Sequence, residues 1–147
     1  MIGLLQWVAD AEVRVAGSAV GAIGAGLLVL VGVEKDDTEA VAERLLERIV
    51  TYRVFSDDSG RMNLDLLEQN GGLLLVPQFT LAAETSKGRR PGFSTAASPE
   101  LGKALFEHLV ARARQRVVTV QTGVFGAHMQ VRLTNDGPVT FWLQTRP

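Results

Sequence analysis

The sequence contains few cysteine and histidine residues, which are common nucleophiles, bases and metal ligands in proteins. There is no cysteine among the 147 residues, and the only histidines are His108 and His128. The lack of cysteine excludes thiolate nucleophiles, disulfides and cysteine metal sites. A histidine metal site needs two or three such residues that converge with carboxylates, and the sequence shows no such group. We therefore expect no metal and no cofactor, and we interpret His108 as a solvated helical residue.

A polar pair lies near the middle of the chain, in a strand predicted over 73–81. Gln78 and Thr80 interrupt a run made mostly of Leu and Val, on the face that also carries Val76. One interpretation is the solvent-facing side of a strand. Another is a threonine nucleophile, which would need an adjacent base that the sequence does not show. Pro77 has no N–H and would interrupt a central ladder.

A second cluster, at 135–140, has the sequence NDGPVT and stands between strands predicted over 129–134 and 139–143. Asn, Asp, Gly and Pro are typical turn residues, so these residue types alone predict a turn. An X–Pro bond also reaches the cis form at a cost of only about 0.5–1 kcal/mol. The pair Gly137-Pro138 is therefore also suited to a fixed conformation that serves a function.

Three basic residues, Lys87, Arg89 and Arg90, are called the basic cluster here. They lie in a long connection, 82–98, that has no hydrophobic periodicity. Connections of this length in a compact domain are usually functional or disordered. Because Lys and Arg side chains both bind phosphate, the basic cluster is either part of a solvated loop or a phosphate contact.

The composition is that of an ordinary globular protein. The formal net charge is −1, from 15 Lys and Arg against 16 Asp and Glu. This balance argues against a protein that coats nucleic acid nonspecifically, because such binding draws on excess positive charge. The N-terminal segment carries Asp10 and Glu12 without a basic start, unlike a signal peptide. The longest apolar run, 25–33, is too short to span a membrane. We expect a soluble cytoplasmic protein.

The pattern of apolar residues predicts a strand-rich domain with two helices. Capping residues and helical spacing predict helices over 36–52 and 98–116. Apolar or alternating segments bounded by turn residues predict strands over 2–8, 11–16, 19–23, 26–33, 73–81, 117–122, 129–134 and 139–143. The fold class is therefore predicted as α+β, with one domain over 1–147. Its sheet is expected to be barrel-like and largely antiparallel, with two flanking helices.

Taken together, these segments resemble the D-aminoacyl-tRNA deacylases of bacteria and eukaryotes. The resemblance covers nearly the whole chain and depends on long motifs in the right order: MIGLLQWV, GAGLLVLVGVEKDD, YRVFSDDSGRMNLD, PQFTLAAET, RRPGFSTAASPE, QTGVFGAHMQV and NDGPVTFWLQ. It implies a homodimer with its active sites at the subunit interface. It also implies an aminoacyl-tRNA substrate whose ester bond, to a D-amino acid or to mischarged glycine, is hydrolysed at the terminal ribose.

The resemblance implies a catalytic role for the first polar motif. The family's Ser-Gln-x-Thr sequence corresponds to 77–80, so Gln78, Phe79 and Thr80 are implied to be the catalytic residues. Backbone N–H groups around Phe79 and Thr80 would bind the substrate, and the neighbouring 2′-hydroxyl of the RNA would assist the reaction. A sequence without an obvious catalytic base fits this chemistry.

The second motif, Asn-x-Gly-Pro-x-Thr in the family, is matched in full by 135–140, with Asn135 as a supporting residue. The resemblance implies a cis Gly137-Pro138 peptide that enters the partner subunit's active site. Its carbonyl groups would leave no room for an L side chain, whereas a D substituent or the hydrogen of glycine would fit. The basic cluster would contact acceptor-stem phosphates of the tRNA.

Two supporting positions depart from the family pattern. Pro77 replaces the usual Ser, and Trp7 stands where the family usually has Arg. Pro-Gln-x-Thr is the form of a related animal group that removes L-alanine mischarged on threonine tRNA. Two alternatives therefore stay open beside the D-specific deacylase. One is a relaxed deacylase that also removes L-alanine, and the other is a nucleic-acid-binding relative without activity.

Overall fold

The first eight residues are mostly apolar and the next seven alternate between apolar and polar, and a computed structural model, which describes all 147 residues, has one long strand there, β1 (Ile2–Val15). The prediction of two separate strands over 2–8 and 11–16 was wrong. The chain passes Asp10 with a shift of register against its neighbour rather than a break, because the pairing resumes on the far side. A bulge of this kind keeps a strand continuous while bending it.

The other elements follow in sequence order. The strands are β2 (Ser18–Ile23), β3 (Gly26–Gly32), β4 (Phe55–Ser56), β5 (Met62–Leu64), β6 (Gly72–Pro77), β7 (Val120–Thr122) and β8 (Gln130–Gln144). The helices are α1 (Glu39–Thr51), α2 (Leu66–Gln69) and α3 (Pro99–Arg114), and a 3-10 helix covers Phe79–Ala82. No helix combines the length and the apolar character needed to cross a membrane.

The main sheet is organised around β1. One edge of β1 pairs antiparallel with β8, and the other pairs antiparallel with β3 and then with β2. β6 and β7 extend the sheet in parallel from β3. The sheet nearly closes, because a Cβ on Gly21 of β2 would lie 2.5 Å from the carbonyl oxygen of Thr122 in β7. The predicted α+β class with a barrel-like, largely antiparallel sheet is confirmed, since three of the five pairings are antiparallel.

The two long helices pack on one face of this sheet, and both faces of its central strands are buried. Leu27 and Val29 of β3 belong to the large core shared with α1 and α3, whereas Leu28 between them belongs to a second cluster. A strand buried on both faces consists of consecutive apolar residues, which explains the unbroken runs in β3 and β6.

The long helices begin where the sequence predicts. The Thr38 hydroxyl accepts the Val41 N–H at the start of α1, and Ser98 caps α3 with Pro99 in its first turn. The short α2 was not predicted, although Asp65 and Glu68 form a capping box there. A capping box of this kind stabilises a single turn without the apolar periodicity that longer helices show.

Candidate functional site

One open cavity, of about 430 Å³, lies beside the end of β6. It is walled by the ends of β3 and β6, the start of α3 and the segment that leads into β8. The lining is mostly apolar: Val31, Val33, Val76, Pro77, Gln78, Phe79, Ala97, Ser98, Pro99, Gly102, Phe106, Phe125, Gly126, Ala127, His128, Met129 and Val131. Polar interactions within such a cavity are stronger than in water because the local dielectric is low.

The first polar motif changes conformation where it reaches this cavity. The strand predicted to run to Leu81 ends at Pro77, and Gln78 is the N-cap of the 3-10 helix, so this part of the prediction was wrong. Gln78 and Thr80 therefore do not share a strand face. The Gln78 amide instead donates to the Thr80 hydroxyl, and Phe79 is 59% exposed at the cavity wall.

The start of this 3-10 helix has two backbone donors without an acceptor inside the helix. No side chain caps it, and the first amide groups of any helix lack intrahelical partners. The Leu81 N–H is bonded to the Gln78 carbonyl at 3.2 Å, which leaves the N–H groups of Phe79 and Thr80. These groups can bind an oxygen atom that carries negative charge.

Pro77 occupies a position where the sheet does not need an N–H. The Gln78 N–H donates to Val31 of β3 at 2.8 Å, so the Pro77 nitrogen faces the opposite edge of β6, since successive residues alternate. The pairing of β6 with β7 on that edge has already ended at Leu75 and Thr122. Pro77 therefore interrupts no hydrogen bond of the sheet, and the predicted interruption of a central ladder does not occur.

The second motif does not make a turn between two strands. Its residues 136–139 bulge out of β8 without a paired partner in β1, and this segment is called the excursion here. Gln6 pairs with Thr140 and Val8 pairs with Asn135, so the four residues 136–139 lie opposite the single residue Trp7. Gly137 and Pro138 are exposed on this excursion, and the peptide bond between them is cis. The turn and the separate strands over 129–134 and 139–143 were therefore wrong predictions.

The Asn135 side chain, at the start of the excursion, is hydrogen-bonded to the residues at its end. Its side-chain oxygen accepts the Val139 N–H at 3.0 Å, and its amide nitrogen donates to the Thr140 hydroxyl at 2.8 Å. Trp7, on the opposing strand, packs edge-on against Phe55 with ring centroids 5.2 Å apart. The excursion is thus held by its own side-chain bonds and by a strand that is anchored in the core.

The basic cluster lies on a loop that is closed at its base. Two backbone hydrogen bonds between Glu84 and Gly92, of 2.7 and 3.0 Å, close this loop at its base. All three basic side chains are exposed, and none of them forms an ion pair. The Glu84 carboxylate accepts hydrogen bonds from Ser86, which lower its pKa, so its charge is engaged within the loop.

The structure also brings residues to the cavity that the sequence did not single out. His128, which has no suggestive neighbour in the sequence, is the one titratable side chain in the lining. Phe125 lines the same wall and packs on Phe106 of α3 with centroids 6.5 Å apart. His108 lies elsewhere, between α1 and α3, where it contacts Glu43 at 3.0 Å. No group of three or more His, Cys, Asp or Glu side chains converges as a metal site would require.

The two polar motifs do not meet within one chain. Gln78 and Phe79 line the cavity, whereas Gly137, Pro138 and Asn135 do not. The cavity lining offers an apolar surface, Gln78 and one histidine, and the 3-10 helix with its two free backbone donors begins at Phe79 in its wall. This set suits the binding and polarisation of an ester carbonyl rather than proton transfer by a pair of carboxylates.

The comparisons with known proteins agree with an enzyme that hydrolyses an ester. The family model described as D-Tyr-tRNA(Tyr) deacylase matches residues 4–144. A D-aminoacyl-tRNA deacylase from Thioalkalivibrio sulfidiphilus is 63% identical over 100% of this chain and 99% of its own length. A D-aminoacyl-tRNA deacylase from Pseudomonas fluorescens is 61% identical over 99% of this chain and 100% of its own length. The chain belongs to the D-Tyr-tRNA(Tyr) deacylase family. It is an ester hydrolase that acts on D-aminoacyl-tRNA in translation proofreading.

Solved structures with this fold carry two different descriptions. A c-Myc DNA Unwinding Element Binding Protein is 35% identical, with a TM-score of 0.94 over 100% of both chains. A probable eukaryotic D-amino acid tRNA deacylase is 18% identical, with a TM-score of 0.84 over 97% of both chains. The second likeness establishes the fold alone.

Proposed function

We propose that the cavity beside Gln78, Phe79 and Thr80 is the hydrolytic site. In this proposal the N–H groups of Phe79 and Thr80 bind the oxyanion that develops when water attacks the aminoacyl ester. The observation that carries the proposal is an uncapped helix start at the wall of a mostly apolar cavity. Preorganised donors in such surroundings are strong, because they need not reorganise during the reaction. The 2′-hydroxyl of the terminal ribose supplies the assistance that no carboxylate provides.

Replacing Phe79 by Pro tests the backbone donor directly. Proline is tolerated at the first helical position, where it removes the N–H. The matched control is Phe79→Ala, which loses the same ring and keeps the N–H. We expect kcat on D-aminoacyl-tRNA to fall about 100- to 1000-fold further in Phe79→Pro than in Phe79→Ala. Equal rates in the two variants would refute the role of this amide.

The Gly137–Pro138 segment is proposed to act in the site of a second subunit of a homodimer. The start of β8 lines the cavity at Val131, whereas Asn135, where the Gly137–Pro138 segment begins, lies four residues farther along the strand, about 13 Å at the usual rise per residue. A carbonyl group that excludes L side chains must touch the substrate, so this segment is too distant to act on its own chain's cavity. The exposed Trp142 of the same strand is suited to a subunit contact.

Mixing two variants distinguishes action between subunits from action within one. Pro138→Ala is expected to hydrolyse L-aminoacyl-tRNA as well as D-aminoacyl-tRNA. Phe79→Pro is expected to be inactive but to keep an intact Gly-Pro segment. If subunits exchange segments, an excess of Phe79→Pro over Pro138→Ala suppresses L hydrolysis and spares D hydrolysis. Unchanged L hydrolysis in a mixture shown to contain hybrid dimers would refute the exchange.

The substrate range is proposed to include glycine mischarged on a noncognate tRNA, because its hydrogen passes the same steric test as a D substituent. We also propose that the basic cluster binds phosphates of the tRNA, and that the protein works in the cytoplasm, where its substrates are made. Incubation with D-Tyr-, Gly-, L-Ala- and L-Tyr-tRNA tests the range. Hydrolysis of the first two alone supports the D-specific enzyme.

Two alternatives predict other outcomes of the same panel. The Pro-Gln-x-Thr form at 77–80 favours a relaxed enzyme, which would also hydrolyse L-Ala-tRNA. The 35% identity to a protein described as binding a DNA unwinding element favours DNA binding in addition to hydrolysis. That alternative requires that DNA binds with measurable sequence preference and competes with the tRNA substrates.

A further inference from the structure

An exposed aromatic pair lies at the mouth of the cavity. The rings of Phe79 and Phe93 have centroids 5.1 Å apart and planes inclined by 40°, and the two residues are 59% and 42% exposed. Phe79 lines the cavity and Phe93 does not, so the pair extends the apolar wall outward onto the surface. Large apolar side chains exposed side by side often mark a binding surface.

The basic cluster lies on the loop that ends directly before Phe93. Phe93 directly follows Gly92, which closes the base of the loop that carries the cluster. The chain turns at Gly88, with φ of +74°, between Lys87 and Arg89. By contrast, Arg112 and Arg116 of the α3 region are paired with acids of α1. The cluster is therefore a set of unpaired cations attached to the aromatic pair through the backbone.

We propose that the Phe79–Phe93 pair stacks the unpaired bases that precede the terminal nucleoside of the substrate RNA, while the basic cluster binds the phosphates of the same strand. Aromatic rings beside cations are the usual means of holding single-stranded nucleic acid, because every base has a face that stacks. A duplex hides those faces, so its contact with the aromatic pair would be poor.

This inference rests on the proposed hydrolytic site. When the ester of the terminal ribose lies in the cavity, the strand that carries it must leave through the cavity mouth. Phe79 forms part of that mouth, and Phe93 lies next to it on the outside. The surface that the strand crosses first is thus aromatic, and the loop that precedes Phe93 carries three exposed positive charges.

Phe93 provides the cleaner test, because the Phe79 backbone belongs to the proposed catalytic site. Phe93→Leu keeps an apolar side chain and removes the stacking face, and Phe93→Trp retains it. For D-aminoacyl-tRNA, we expect Phe93→Leu to raise KM about 5- to 100-fold with little change in kcat, and Phe93→Trp to resemble the parent. For D-aminoacyl adenosine, which lacks the preceding nucleotides, we expect all three proteins to have the same KM.

Three results would overturn the inference. They are an unchanged KM of Phe93→Leu for the tRNA substrate, an equal loss on both substrates, and a smaller oligomer of Phe93→Leu in sedimentation, which would make the aromatic pair a subunit contact. If the parent protein hydrolyses neither substrate, the proposed function fails. The inference is then decided by binding of a short single-stranded RNA, which Phe93→Leu must weaken and Phe93→Trp must not.

Discussion

Replacing Asn135 by Ala should loosen the Gly137–Pro138 segment without unfolding the protein. The variant removes one bond to the N–H of Val139, a buried residue, and one to the exposed hydroxyl of Thr140. Water replaces the second bond easily, whereas a buried N–H without a partner costs about 1–3 kcal/mol. We therefore expect the free energy of unfolding to fall by about 1–3 kcal/mol, which leaves a typical domain folded at 25 °C.

The measurement is a urea titration at neutral pH, with Thr140→Val and Asn135→Asp as matched variants. Thr140→Val loses only the exposed bond, so its unfolding free energy should change by less than about 0.5–1 kcal/mol. Asn135→Asp keeps an acceptor for the Val139 N–H and can accept the Thr140 hydroxyl. If Thr140→Val costs as much as Asn135→Ala, the assignment of the free energy to the buried N–H is wrong.

The same variant has a consequence for selectivity. If the excursion excludes L substrates by steric contact, a looser excursion excludes them less well, and each 1.4 kcal/mol of lost discrimination corresponds to about tenfold. We expect Asn135→Ala to raise kcat/KM for L-aminoacyl-tRNA about tenfold relative to the D substrate. A variant that is destabilised but fully selective would show that Asn135 supports the fold and not the selection.

Three further predictions follow from individual contacts. A Cβ at Gly26 would lie 2.0 Å from the backbone oxygen of Gly72, so Gly26→Ala should cost about 3 kcal/mol or more, whereas Gly24→Ala, in open space, should change the urea midpoint little. Burial raises the pKa of Glu34, but hydrogen bonds from Gln144 and the α-amino group outweigh it and lower that pKa, so its stabilisation is present above about pH 4.5 and lost as pH falls through the lowered value. Glu34→Gln should then be less stable than the parent at pH 7, and the difference should vanish in acid denaturation near pH 2. Alanine at all three positions of the basic cluster should flatten the salt dependence of tRNA binding by up to about 2–3 in log–log slope, and an unchanged slope would make the loop a solvated connection.

The long helices and apolar strands are predictable because their signals are local. Thr38 and Ser98 cap the helices they precede, and those interactions need only neighbouring residues. The apolar runs of β3 and β6 likewise indicate strands that are covered on both faces. The α+β class follows from counting such elements, and it requires no knowledge of which strand pairs with which.

The errors occur where distant parts of the chain decide the conformation. Alternation over Gln78 and Thr80 predicts a strand, but the chain turns into a 3-10 helix that packs against Gly32. A Cβ at Gly32 would lie 2.9 Å from the Leu81 Cβ, so the missing side chain makes room for that turn. The pairing of β8 across 130–144 is likewise fixed by β1, more than a hundred residues earlier, and no local signal contains it.

The candidate site was likewise predictable only in part. Its motifs can be found in the sequence, because their residues are consecutive and match a family pattern. The cavity cannot, because His128 and Phe125 reach it from a segment almost fifty residues after Gln78. The aromatic pair is also invisible in sequence, since Phe79 and Phe93 meet only when the basic loop closes between Glu84 and Gly92.

Selection against L substrates by backbone carbonyl groups depends on how the backbone is held in position. Carbonyl groups of Gly137 and Pro138 would exclude L substrates whatever their own side chains are, so substitution within the pair changes the geometry rather than a recognition group. Under the proposed mechanism, selectivity would be adjusted through the residues that hold this segment in place, which are Asn135 with its two hydrogen bonds and Trp7 on the opposing strand. Trp7 and Pro77 are the two departures from the family pattern, and one lies opposite the excursion while the other lines the cavity. Changes at these two positions are therefore where a D-specific enzyme of this fold would acquire tolerance for a small L side chain.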